Sequence, residues 1–343
     1  MRLESVATTP IGFVIRQYSH ASTRQFTMQI SVLIPTYCRP RQLAEALASL
    51  AQQDQTLIGE VLVGDDSPET FWPANRSVIE RSAIASKVRY QPNDPPLGNY
   101  PNQCALGEQA RCDHVLILHD DDHLCPGGLT WLAEARLAET DPRVEIWFGK
   151  DLIMGPDGKV DPARTASNAL RYGKDGAACA KPVWAWCLTQ SLPPNSSLMG
   201  RATYVAWMRG TRDGNAGDWG LHVRLANSGA WGRFVAQFVS RYRVHQESNT
   251  GSRHGIDIQY MYEIAQELQV PPEHRGEKQR LVREFAEVAT ARYLRNGERG
   301  RAWHCFASND WRWKRRLSPR GVATLGMLMT PAPLWRWIFE RRA

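Results

Sequence analysis

The sequence predicts an α/β protein, with a mostly parallel sheet flanked by helices and a helical C-terminal region. Three observations predict it. Short apolar runs at 30–34, 60–63, 88–90, 115–118 and 144–148 alternate with stretches of helical spacing. Acidic residues follow two of these runs directly, as Asp65-Asp66 and as Asp120, Asp121 and Asp122. From about residue 257 to 294 the apolar period becomes that of helices.

Each element has a local cause. Residues 1–27 lack clear periodicity and are basic and acid-poor. They read as a loose N-terminal extension, or as untranslated residues upstream of a start at Met28, with an organelle transit peptide as the rival. A strong strand follows at 30–34. Between it and the run at 60–63 lies a helix over 41–53, with Leu43, Ala46, Leu47 and Leu50 at helical spacing. Strand–helix alternation of this kind implies parallel strands, and such sheets bind ligands at the carboxyl ends of their strands. Another helix is expected to begin near Gly128. Residues 150–200, rich in Gly, Pro, Ser and Trp, read as loops with short strands, and 181–186 and 193–197 as binding loops. Residues 218–227 read as a helix and 233–242 as a strand. Two further helices carry Tyr260, Tyr262, Ile264 and Leu268, then Leu281, Phe285, Val288 and Tyr293, separated by Pro271-Pro272. The main domain is therefore expected over 28–250, with a helical C-terminal region over 251–343.

Bulk properties narrow the class. The 343 residues are 43% hydrophobic and 22% charged, as in a soluble globular chain. No apolar stretch approaches the ~20 residues that span a bilayer, and no signal-peptide core opens the chain. The net charge of +7 suits an anionic substrate or a membrane surface without choosing between them. The seven cysteines are odd in number and form no C-x-x-C pair, which argues against zinc and a disulfide framework and makes a reducing cytosol the default.

Five constellations carry chemistry. In Ile34-Pro35-Thr36-Tyr37-Cys38-Arg39-Pro40 the prolines restrict a turn, and Tyr37 can lie against a planar base. In Val63-Gly64-Asp65-Asp66-Ser67 a carboxylate at a strand's end can accept from a base N–H, or simply form a turn. Three carboxylates in a row at 120–122, after a buried strand, are costly unless a cation joins them. They fit a divalent metal that bridges a diphosphate, or else a solvated turn before a helix. Asp218, at the start of a helix burying Leu221 and Leu225, is a general base or an N-cap. His245, in Tyr242-Arg243-Val244-His245, completes a metal shell or is an ordinary loop histidine.

In this order the five elements resemble the inverting family 2 glycosyltransferases, whose fold is GT-A, over residues 30–250. The family pattern is an I-P-T-Y-N-R-like turn, an acidic pair, a D-x-D metal motif, an E-D-type acid before an Arg-bearing helix, and a Y-R-x-H segment. The resemblance implies a GT-A, Rossmann-like sheet and a UDP or GDP sugar as donor. It implies that Pro35, Thr36, Tyr37, Arg39, Asp66, Asp120 and Asp121 hold the nucleotide sugar. It further implies that Asp121, Asp122 and His245 hold Mn2+ or Mg2+, and that Asp218 is the catalytic base. Three residues depart from the pattern: His119 where an Asp often opens the D-x-D run, Cys38 for Asn, and Gly217 for the acid before Asp218.

The implied acceptor is a glycan or lipid-linked hydroxyl in bacterial-type polysaccharide or glycolipid synthesis. Trp184, Trp186, Trp207, Trp219 and Trp231 could stack on sugar rings or fill the core, and Asn195 and Ser196 could bond sugar hydroxyls. The C-terminal tail mixes Trp with Arg and Lys at 311–316 and 334–342. That composition suits a peripheral membrane contact on the cytoplasmic face, or packing against the domain. No nucleic-acid motif accompanies it, so nucleic acid is not an expected partner. The rivals are a sugar nucleotidyltransferase, which would show G-x-G-T-R-x-x-P after the first strand, and a non-catalytic nucleotide-sugar or glycan-binding protein. A dehydrogenase would need G-x-G-x-x-G, which does not occur.

Overall fold

The computed structural model describes residues 28–209, 213–245 and 258–330. In chain order its elements are β1 (Ile30–Thr36), α1 (Pro40–Ala51), β2 (Ile58–Asp65), α2 (Trp72–Glu80), β3 (Val88–Pro92), α3 (Asn99–Gln109), β4 (His114–Ile117), β5 (His123–Leu124), α4 (Gly128–Leu137), β6 (Val144–Met154), α5 (Pro162–Arg171), β7 (Cys179–Pro182) and α6 (Val183–Leu188). There follow β8 (Leu198–Gly200), α7 (Arg201–Trp207), α8 (Gly217–Asn227), β9 (Trp231–Arg243), α9 (Ile258–Glu267), α10 (Arg275–Arg295), α11 (Arg299–Ala307), α12 (Trp313–Arg316) and α13 (Pro319–Met329).

The strands form one sheet in the order β3-β2-β1-β4-β8-β6-β9-β5, with β7 on β9. Pairing is parallel across β3, β2, β1 and β4 and again between β6 and β9. The short strands β5, β7 and β8 pair antiparallel. Parallel neighbours put the carboxyl ends of β1, β2 and β4 side by side, which is what brings residues 35–39, 65–66 and 118–122 together.

Strand periodicity divides the core in two. Ile30, Val32 and Ile34 of β1, with Val61 and Val63 of β2, pack against Leu43, Ala46, Leu47 and Leu50 of α1 and against Leu129 and Leu132 of α4. Leu33 and Leu62 point to the opposite face, into a second core. That core runs past α3, α6, α7 and α8 to Leu281 and Phe285 of α10 and Phe306 of α11, so the C-terminal helices share it with the sheet. Each fully buried Leu, Ile or Phe contributes roughly 1.5–3 kcal/mol. Pro40 opens α1 at a position where its missing N–H costs nothing.

Several expectations change. Residues 150–200 hold the expected short strands, as β7 and β8, but also two helices, α5 and α6, where loops were expected. Asp161 caps α5 by accepting from the Arg164 N–H at 2.9 Å, and Pro162 follows it, a start signal hidden in a Gly- and Pro-rich stretch. The expected binding loop at 181–186 is the end of β7 and most of α6. Val288, placed in the apolar stripe of α10, is 45% exposed. The proposed extension 1–27, residues 246–249 and the tail from 331 onward lie outside the described residues. Among the described residues no helix is long and apolar enough to cross a membrane. All seven cysteines are free thiols.

Candidate active site

The site begins where β1 ends. Cys38 takes a left-handed backbone with φ +56°, a conformation that Asn, the residue in the resembling pattern, adopts more readily than most. Its N–H donates to Ser67 Oγ at 2.7 Å, and the Asp66 N–H donates to the Thr36 carbonyl at 3.0 Å. The first turn is thus tied to the turn after β2. Pro35 and Thr36 are buried, while the Tyr37 ring is 60% exposed, a free planar face at the rim.

Asp66 is buried and accepts from Asn93 Nδ2 at 2.8 Å, the Leu97 N–H at 3.1 Å and the Gly98 N–H at 2.7 Å. Three donors leave a fourth acceptor position on the carboxylate. Asn93 is in turn held by Asn102, which bonds the Gly64 carbonyl; a Cβ on Gly64 would fall 2.1 Å from Asn102 Oδ1. Asp65 is committed inward, to Ser67 N, Asn75 and Tyr90.

The acidic run follows β4, and all three of its carboxylates are buried. Asp120 accepts from Thr36 Oγ1 at 2.7 Å, the Tyr37 N–H at 3.2 Å and Arg39 at 3.2 Å. Asp121 meets Arg39 at 2.8 Å and His245 Nε2 at 2.9 Å. Asp122 accepts from the Arg243 N–H at 2.7 Å and from Asn195 Nδ2. Burial, then the charge of Asp121, pushes Asp120 up to about 6 against the pull of Arg39, Thr36 and the Tyr37 N–H. The same two causes push Asp122 well above the carboxylate range. Burial also opposes the charge on Asp121, but His119, Arg39 and His245 outweigh it and hold that group low. Burial and mutual repulsion thus disfavour full charge on the run, and a further cation would favour it.

The fit of a divalent metal is testable on these residues. One ligand atom from each of His119, Asp121 and Asp122 lies within 4.8 Å of the others, and His119 Nε2 is buried with no hydrogen-bond partner. Two carboxylates and an imidazole suit Mn2+ and admit Mg2+. Of the expected ligands Asp121, Asp122 and His245, the two carboxylates belong to this group. His119 joins them directly, and His245 stands hydrogen-bonded to Asp121.

Asp218 lies in the first turn of α8, partly exposed, and accepts from the Tyr100 hydroxyl at 2.9 Å. It lines one small cavity with Asn195, Gln103 and His222, so the side chain holding Asp122 and the expected base share a wall. His119 feels the charges of both Asp121 and Asp218, although burial lowers its own pKa. His222, one turn along α8, is pushed down to about 4 by burial, partly offset by Asp218.

Other neighbours of the acidic run take places that the sequence did not specify. Arg243, almost fully buried, donates from its side chain to the Asp121 carbonyl at 2.8 Å, the Pro156 carbonyl at 3.0 Å and Glu45, while its own N–H holds Asp122. It was legible only as the Arg of the Y-R-x-H segment. Asn195 and Ser196, expected at sugar hydroxyls, face inward: Asn195 on Asp122, Ser196 on Asn195. The tryptophans serve packing. Trp186 and Trp219 are buried, with indole N–H groups on the Gly232 and Met261 carbonyls; Trp184 packs on His274, Trp231 under Arg143, and Trp207 against the core.

Fold and site together define an α/β protein whose parallel strands gather a buried, cation-suited acidic crevice at their carboxyl ends. The fold is similar to that of S. aureus TarS. TarS 1-349 superposes with a TM-score of 0.54, its complex with UDP-GlcNAc with 0.56 and its complex with UDP with 0.54. Each is 16% identical and covers 88% of this chain and 80% of the other, a likeness of fold alone. No family model matches the chain. The uncharacterized protein MT1568 of Mycobacterium tuberculosis is 30% identical over 128 residues, 37% of this chain and 38% of that protein's own length.

Proposed function

We propose that this chain is a metal-dependent inverting glycosyltransferase of family 2 with a GT-A domain over 28–250. It would move a sugar from a UDP or GDP sugar to a hydroxyl of a glycan or lipid-linked acceptor, in bacterial-type polysaccharide or glycolipid synthesis. The observation that carries the reading is the shared wall between Asp218 and Asn195, the residue that holds Asp122. It sets a partly exposed carboxylate, held on one oxygen by Tyr100, beside the acidic cluster. The UDP-GlcNAc and UDP complexes of the similarly folded TarS support a UDP sugar over a GDP sugar.

Each residue then has a task. Tyr37 offers its ring to the base, and Asp66 has one acceptor position left for a base N–H. Asp120, held by Thr36 and the Tyr37 N–H, faces the ribose. His119, Asp121 and Asp122 would hold Mn2+ or Mg2+, with His245 steadying Asp121; such a metal supplies neutralisation of the leaving diphosphate. Asp218 takes the acceptor's hydroxyl proton as the acceptor oxygen bonds to the anomeric carbon and the bond to the diphosphate breaks on the opposite face. The protein's gain lies in fixed geometry and preorganised charge.

A second surface supports a membrane-proximal acceptor. α12, α13 and the turn between them expose Trp313, Leu317, Val322 and Met329, with Arg312, Lys314 and Arg320 also exposed. Apolar and aromatic side chains among cations suit the interface of an anionic bilayer.

The test is release of nucleoside diphosphate from a panel of UDP and GDP sugars with Mn2+ or Mg2+. The proposal expects turnover of at least one donor, abolished by EDTA and reduced at least a hundredfold in Asp218→Asn. Tight binding of a donor without turnover under any condition would favour the non-catalytic binding protein.

A further inference from the structure

We infer that Tyr100, on the first turn of α3, is a positioning residue for Asp218. The inference rests on the reading of Asp218 as the base. The Tyr100 hydroxyl donates to Asp218 Oδ1 at 2.9 Å across 118 positions of sequence. Tyr100 is 6% exposed, so the donor side of the bond is buried while Asp218 stays open to the site. Burial and the facing carboxylate hold the phenol proton far above any working pH, so Tyr100 remains a donor. With Oδ1 engaged, Oδ2 is the oxygen presented to an acceptor hydroxyl.

Gly217 shows that this contact is built in. A Cβ on residue 217 would lie 2.4 Å from Cδ1 and 2.5 Å from Cγ of the Tyr100 ring. The ring therefore occupies the space that the side chain before the base would need. This accounts for the missing acid of the E-D pattern: at this site Tyr100 stands in its place.

The other end of the same turn reaches the donor. Gly98, at φ +91°, precedes α3, and its N–H donates to Asp66 Oδ2 at 2.7 Å. Asp66 and Asp218 are thus bonded to residues only two apart on one rigid turn.

The test uses the full chain and whichever UDP or GDP sugar the wild type hydrolyses with Mn2+. Tyr100→Phe is expected to lower kcat roughly ten- to a hundredfold with the donor KM unchanged. Gly217→Ala, which pushes the ring aside, is expected to give the same split. The double variant should lose no more than either single one, since both remove one contact. A thermal melt accompanies each variant. Unchanged kcat in Tyr100→Phe, or kcat loss matched by a rise in KM, would overturn the inference. Asp218→Asn, run alongside, separates the two claims. If it retains turnover, the base assignment fails; if it alone is inactive while Tyr100→Phe is normal, only the role of Tyr100 fails.

Discussion

Arg39 Nη1 lies 2.8 Å from Asp121 and 3.2 Å from Asp120, so one guanidinium from the first turn bridges two members of the acidic run. It supplies the positive charge that the buried carboxylates need. A divalent metal held by His119, Asp121 and Asp122 would add further positive charge.

Replacing Arg39 by Gln should therefore destabilise the free protein by about 1–3 kcal/mol, because two buried carboxylates lose their cation. Saturating Mn2+ should restore more stability to this variant than to the wild type, through binding to the folded state. Thermal melts with and without Mn2+ read both effects. Equal metal-induced shifts would contradict the bridging role.

Arg243 should tolerate no conservative change. Lysine keeps the charge but cannot reach the Asp121 carbonyl, the Pro156 carbonyl and Glu45 at once. Arg243→Lys is expected to cost about 3 kcal/mol in urea unfolding. It should also weaken Mn2+ binding, because the backbone that presents Asp121 loses its anchor. A variant as stable as wild type, with the same metal affinity, would refute this.

His222 gives the fold a pH dependence with a definite sign. Its folded-state pKa is about 4, against 6.5 for the free side chain. Between those values the unfolded chain binds the proton and the folded chain does not, so stability falls as pH drops from 6.5 toward 4. The loss from this group is about 3 kcal/mol across that window. His222→Gln should flatten the profile by this amount in unfolding measured at pH 7 and pH 4. Parallel profiles would show that the imidazole is not buried neutral.

Membrane contact predicts co-sedimentation with vesicles containing phosphatidylglycerol, weakened by salt and by the pair Trp313→Glu and Leu317→Glu. Neutral vesicles should pellet less protein. Equal, negligible pelleting of wild type and variant on both vesicle types would end the idea.

Much of the fold was legible because it rests on local period. The spacing of Leu43, Ala46, Leu47 and Leu50 specifies α1, and the apolar runs specify the strands that bring 35–39, 66 and 120–122 together. What escaped depends on contacts distant in sequence. Asn195, expected at sugar hydroxyls, is set on Asp122 by the sheet, and Tyr100, which carries no motif, gains its role only when α8 arrives with Asp218. α5 and α6 were hidden because Pro, here Pro162 and Pro182, marks a helix start as readily as a loop. His119, noted as a departure from the D-x-D pattern, stands in the group that can hold the metal.

The central claim is that the first turn and the acidic run form one metal–nucleotide site. Calorimetric titration of UDP into the full chain, with Mn2+ and then with EDTA, tests it most directly. The account predicts one-to-one binding with Mn2+, at least tenfold weaker in EDTA and equally weak in Asp121→Asn with Mn2+. Binding indifferent to both Mn2+ and Asp121, or no binding of UDP or GDP at all, would contradict it.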